Sequence, residues 1–121
     1  RSYTITISEQ QLNQFLHQQG GMPDSFAFQF TDQGIVVNGK EGNLNLVISG
    51  RYVVEDQPQN AIRFHVDKLI FNSLELPDTT RQELENQFDL GFYPGQIISY
   101  LKAKSVHMSS GQMQIELELS L

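Results

Sequence analysis

Histidine is the side chain most often used for proton transfer or metal binding near neutral pH. This chain has three: His17, His65 and His107. Paired metal ligands need short, regular spacing, as in H-E-x-x-H on a helix. These three are far apart, and neither that string nor H-x-H occurs. The sequence therefore predicts surface or sheet-edge side chains, with His65 turned to solvent because Phe64 and Val66 flank it. Carboxylate pairs could serve glycoside hydrolysis at the right separation. The candidates are Glu55-Asp56, Glu83 with Glu85, and Glu116 with Glu118. The last pair alternates with Leu117 and Leu119, the mark of a solvated strand face, and Glu83 and Glu85 read as helix surface. No G-x-S-x-G elbow is present. Gly39-Lys40-Glu41-Gly42 lacks the Gly-Lys-Ser/Thr ending and following helix of a phosphate loop, and reads as a hairpin turn. Phe26, Phe28 and Phe30 could stack on bases or sugars, but core packing is the commoner use of such a row. The expectation is a non-enzymatic protein with no catalytic residues, metal or cofactor.

Composition limits the partners. The 121 residues fit one domain, 1–121. Hydrophobic residues make up 39%, enough for a core, while 8 basic and 14 acidic residues give a net charge of −6. The Lys and Arg residues are scattered, which argues against nucleic acid as a partner. The acidity also repels an anionic membrane, so any membrane contact should be apolar or transient. There is no cysteine, which removes disulfides, thiol catalysis and Cys-ligated metals. The chain begins at Arg1. It is expected to be a fragment behind a removed signal peptide, a lipoprotein anchor or an N-terminal membrane helix, with the three left open.

The elements follow from periodicity. Tyr3, Ile5 and Ile7 alternate with threonines as a strand, and Ser8-Glu9-Gln10-Gln11 then forms a capping box. Leu12, Phe15 and Leu16 make one narrow helical stripe, which Gly20-Gly21 and Pro23 end. Alternation in Phe26–Phe30, Leu44–Val54 and Ile62–Phe71, with the apolar run Ile35–Val37 returning after a turn, predicts long antiparallel strands. Gly50 and a parity change near Asp67-Lys68 each signal a bulge. A second helix is predicted over Arg81–Leu90, broken at Gly91 and Pro94, and resuming to Leu101. Val106 to Leu121 reads as a closing hairpin. The fold class is α+β, with a long curved antiparallel sheet of about seven strands wrapping an N-terminal helix and a broken second helix. The inner face should gather Phe26, Phe28, Phe30, Leu44, Leu46, Ile48, Phe64, Val66, Ile115, Leu117 and Leu119, covered by Leu12, Phe15 and Leu16.

Three stretches carry a family resemblance. Tyr3 to Leu16 is similar to the strand and capped helix that open tubular lipid-binding proteins of the bactericidal/permeability-increasing kind. Ile62 to Phe71, followed by Leu76-Pro77, resembles their long central strand, and Val106 to Ile115 resembles their closing hairpin. The stretches resemble small exported bacterial lipoproteins or membrane-anchored domains of that kind. The resemblance implies an extracytoplasmic, periplasmic or cell-envelope, protein that binds a lipid or other apolar molecule. The sheet supplies more apolar surface than the helices cover, so the groove is expected at Phe15, Leu16, Leu84, Phe88, Phe92, Ile97, Ile98 and Leu101. The alternative is a structural or protein-interaction domain with a fully packed core and no ligand.

Overall fold

The computed structural model describes residues 1–19, 21–87 and 89–120. In chain order the elements are β1 (Ser2–Ser8), α1 (Glu9–Gln18), β2 (Phe26–Thr31), β3 (Gly34–Glu41), β4 (Leu44–Glu55) and β5 (Ala61–Phe71). Then come β6 (Leu74–Glu75), α2 (Asp78–Gln87), α3 (Pro94–Ile97), β7 (Leu101–Ser109) and β8 (Gln112–Leu119). The class is α+β and every strand pairing is antiparallel. The expected single sheet is corrected. The strands form a five-stranded sheet, β2-β3-β4-β5-β6, and a three-stranded one, β1-β8-β7.

Side chains occupying strand edges explain the division. An edge strand leaves a row of backbone donors and acceptors unpaired. Along β2 that row is taken by Glu9, Asn13 and His17, spaced four apart on α1 and so sharing one helix face. Phe30 N donates to Glu9 Oε2 at 2.8 Å and Phe28 N to Asn13 Oδ1 at 2.7 Å. Asn13 Nδ2 donates to Phe28 O at 2.9 Å, and His17 Nε2 lies 2.6 Å from Phe26 O. On the other sheet, the Asn60 amide both donates to Ala103 O (3.0 Å) and accepts from Ala103 N (2.7 Å) on β7. Strands that might have joined the sheets into one therefore carry polar side chains instead.

Helix α1 begins where the sequence places it. Ser8 Oγ accepts from Gln11 N at 3.1 Å, and Gln11 Oε1 accepts from Ser8 N at 2.8 Å, which completes the capping box. The two bulge signals in β4 and β5 prove to be two sides of one irregularity. Ser49 faces Lys68 and Gly50 faces Val66, leaving Asp67 unpaired. A Cβ on Gly50 would stand 2.4 Å from His65 O and 2.5 Å from the Phe64 ring, so no larger residue fits there. A second bulge, at Lys104, lies in β7. It hides that strand's period, because Leu101 and Ala103 share a face with Val106 and Met108 only across the extra residue. The predicted helix to Leu101 is therefore corrected to end at Ile97, with Leu101 opening β7.

One core joins the two sheets and α1. Phe28, Phe30, Ile48, Val66, Ile115 and Leu117 are buried as expected, with Leu12 and Leu16 against them. Two expectations fail. Phe15 lies to one side of the Leu12–Leu16 stripe and stays 39% exposed, and Leu44 projects beyond the covered part of the sheet and stays 52% exposed.

Candidate functional site: an apolar cavity under the second helix

The sheet's inner face is set by the period-two residues of β3, β4 and β5, which line up across the register Val37–Ile48 and Gly50–Val66. At one end this face is roofed by α2 and by Met22-Pro23 in the α1–β2 connection. The roof does not seat fully, because α2 contributes no fully buried residue among those described. A cavity of about 140 Å³ remains between Leu84 and Leu90 on one side and Val37, Ile48, Phe64 and Val66 on the other. With its mouth to solvent included, the depression reaches about 700 Å³. The inner face continues past the roof. Leu46 in the cavity wall pairs with Phe71, and Phe71 pairs with Leu74. Leu44, Phe71 and Leu74 are all exposed, so an uncovered apolar strip leads outward from the cavity.

Polar side chains, besides the packing of Leu84, hold α2 on β5. Glu85 Oε1 accepts from Val66 N, and Arg81 Nη1 donates to Val66 O at 2.6 Å. Glu85 Oε2 lies 4.0 Å from His65 Nδ1, whose Nε2 is 2.9 Å from Glu55 Oε2. Arg63 Nε is 3.5 Å from the other Glu55 oxygen. Two expectations are corrected here. Glu85 turns inward to cap β5 instead of lying on the helix surface, and His65 is held between carboxylates instead of facing open solvent. This cluster fastens the roof. Among the described residues no group of three or more His, Asp or Glu is arranged to hold a metal.

The strap from Asp89 to Tyr93 brings Leu90 to the cavity wall and is tied to the sheet. Phe92 and Ile62 exchange two backbone hydrogen bonds of 2.9 Å, and Tyr52 Oη donates to Leu90 O at 2.8 Å. Burial first, and the Asp89 carboxylate second, push the Tyr52 hydroxyl well above the ordinary tyrosine range. Tyr93 is also raised, first by its hydrogen bond to Asp89, then by partial burial and the Asp89 charge, against a lowering by Arg63.

The residues expected to form the groove are dispersed. Leu84 lines the cavity. Leu16 is buried in the core, and Leu101 is half-buried at the start of β7. Phe15 and Phe92 stack with ring centroids 5.4 Å apart. They reach the cavity only through a chain of rings, Phe92 to Tyr52 at 5.5 Å and Tyr52 to Phe64 at 5.3 Å. Ile97 and Ile98 are exposed, at 81% and 49%. Phe88 lies outside the described residues. Ile48, Phe64 and Val66 read in the sequence as an inner face but not as a cavity wall, Val37 reads only as part of a strand, and nothing marks Met22-Pro23 as roof.

Comparisons of the chain with protein-family models, with curated proteins and with solved structures find no match. No helix among the described residues is long and apolar enough to cross a membrane.

Proposed function

We propose that this domain is a non-enzymatic binding module for a lipid or similar apolar chain in an extracytoplasmic compartment. The observation that carries the reading is the apolar cavity beside Leu84, continued by the uncovered strip of Leu44, Phe71 and Leu74. Apolar cavities of about 150 Å³ hold a benzene-sized group and stay dry. Five or six methylenes inside would contribute about 4–5 kcal/mol at ~0.8 kcal/mol each. That supports only about millimolar affinity. Several more methylenes along the strip bring the total toward the ~8 kcal/mol of a micromolar complex. An extended chain suits this shape better than a compact molecule. The strip also offers a surface for transient, apolar membrane contact. The resemblance to tubular lipid-binding proteins favours the same class of ligand.

Titration with a fluorescent long-chain fatty acid tests the proposal. Saturable binding at about 10 µM is expected. Leu84→Trp, which fills the cavity from the partly exposed roof, should abolish it, while Ile98→Trp, away from the cavity, should leave it unchanged. No saturation at ~100 µM would favour the packed interaction domain. Loss in Ile98→Trp but not in Leu84→Trp would move the site to α3.

A further inference from the structure

Four strand edges bound the two sheets, and three of them are interrupted. Glu9, Asn13 and His17 occupy β2. On β5, Arg81 and Glu85 hold Val66, and β6 is only two residues long. Asn60 occupies β7 at Ala103, beside the Lys104 bulge. Among the described residues, the fourth edge, β1, carries none of these devices. Its sequence, Ser2-Tyr3-Thr4-Ile5-Thr6-Ile7-Ser8, has no charge, no proline and no glycine. Natural edges are usually blunted by such residues or by a covering element.

The register identifies which groups are free. Arg1 and Leu119 exchange hydrogen bonds, and Glu9 N donates to Gly111 O. Antiparallel pairs alternate between bonded and non-bonded, so Tyr3, Ile5 and Ile7 bond to β8 while Ser2, Thr4 and Thr6 direct their N–H and C=O groups outward. Among the described residues no side chain bonds to the outward backbone of Ser2, Thr4 or Thr6. Tyr3 and Ile5 are each 43% exposed along this edge, on the face that β8 buries through Ile115 and Leu117.

We propose that β1 pairs antiparallel with β1 of a second copy of this chain, giving a continuous six-stranded sheet, β7-β8-β1 followed by the second copy's β1-β8-β7. The strand is complementary to itself about Thr4. That register sets Thr4 against the second copy's Thr4 and Ser2 against its Thr6, forming ~6 backbone hydrogen bonds. Each Tyr3 then faces the second copy's Ile5 at a non-bonded pair, where side chains are closest, and aromatic–β-branched pairs stabilise sheets. The exposed apolar residues of the edge cover one another. The acidic net charge does not oppose this contact. The nearest carboxylate, Glu116 beside Thr4, is three strand spacings from its counterpart, or ~14 Å, beyond the Debye length of ~8 Å. The interface falls below the standard ~800 Å² per partner, so the dimer is weak, with a dissociation constant on the order of 100 µM. It uses no residue of the α2 cavity and stands independently of the ligand proposal.

Sedimentation equilibrium from about 1 µM to 1 mM tests it. A monomer–dimer equilibrium is expected, and amide exchange at Ser2, Thr4 and Thr6 should slow as concentration rises. Thr4→Pro removes an outward N–H that β8 does not use, which edge strands tolerate. It should keep the melting temperature within a few degrees and weaken dimerisation more than tenfold. Ile5→Lys gives a second disruption, through charge. A protein monomeric at ~1 mM overturns the proposal. So does a dimer that persists in both folded variants, or exchange at these amides that ignores concentration.

Discussion

Glu9, Asn13 and His17 direct their polar atoms at the β2 backbone, although their neighbours in the sequence are glutamines that suggest a solvated helix. Removing one partner of a part-buried hydrogen bond leaves the other unsatisfied, at about 1–3 kcal/mol. Asn13→Ala abandons both Phe28 N and Phe28 O. It should destabilise the domain by about 2–3 kcal/mol in denaturant unfolding, more than the ~1 kcal/mol expected for the Ser8→Ala cap loss. Equal losses would show that the edge bonds contribute no more than a helix cap. Tyr52 supplies a pH test. Its hydroxyl titrates higher in the folded chain than in the unfolded one, so the folded state holds its proton longer. The contribution is whole below the unfolded pKa of ~10 and is lost as pH rises above it. Tyr52→Phe should cost about 1 kcal/mol at neutral pH through the lost bond to Leu90 O, and should flatten the decline above pH ~10. An unchanged alkaline slope would place the sensitivity elsewhere.

Helix α2 is held by two side chains on one residue of β5, and its sequence forecasts that weakness. Between Asp78 and Gln87, Leu84 is the only large apolar residue. Glu85→Ala leaves Val66 N without its partner, so that among the described residues only Arg81 and the packing of Leu84 keep the helix on β5. Amide exchange over 78–87 should accelerate about tenfold or more, corresponding to ~1.4 kcal/mol, while β3 and β4 stay protected. Uniform acceleration across the sheet would mean that α2 belongs to the cooperative core. Elements with unbroken periods, such as β2, β4, β8 and the capped α1, were legible in the sequence. What escaped was non-local. The Lys104 bulge disguised β7 as helix end and loop, and β6 rests on a tight turn at Asn72-Ser73, both at positive φ, that no glycine advertises. Polar residues bonding to a strand distant in sequence leave no periodic signal, so the division into two sheets was illegible.

Over the whole molecule, the excess of apolar sheet over apolar helix appears as a roofed cavity with an open strip, not as one long groove. The parity of Leu46, Ile48, Phe64 and Val66 puts them on one inner face, and the structure shows that this face, with Val37, walls a cavity. The groove expected at Ile97 and Ile98 needs a helix continuing to Leu101, and the short α3 leaves both in solvent. If the strip extends the binding surface, affinity should grow with chain length by about 0.8 kcal/mol per methylene until the strip is filled, then level off. Phe71→Ser should reduce the affinity of long chains while sparing short ones. An affinity independent of length beyond six carbons would confine the ligand to the cavity. The most direct measurement is the set of intermolecular nuclear Overhauser effects between a ¹³C-labelled fatty acid and the methyl groups of this protein. The account predicts contacts from the acyl chain to Leu84, Leu90, Ile48 and Val66, with Ile97 and Ile98 silent. Contacts at Ile97 and Ile98 with the cavity methyls unperturbed, or no contacts at saturating ligand, would contradict it.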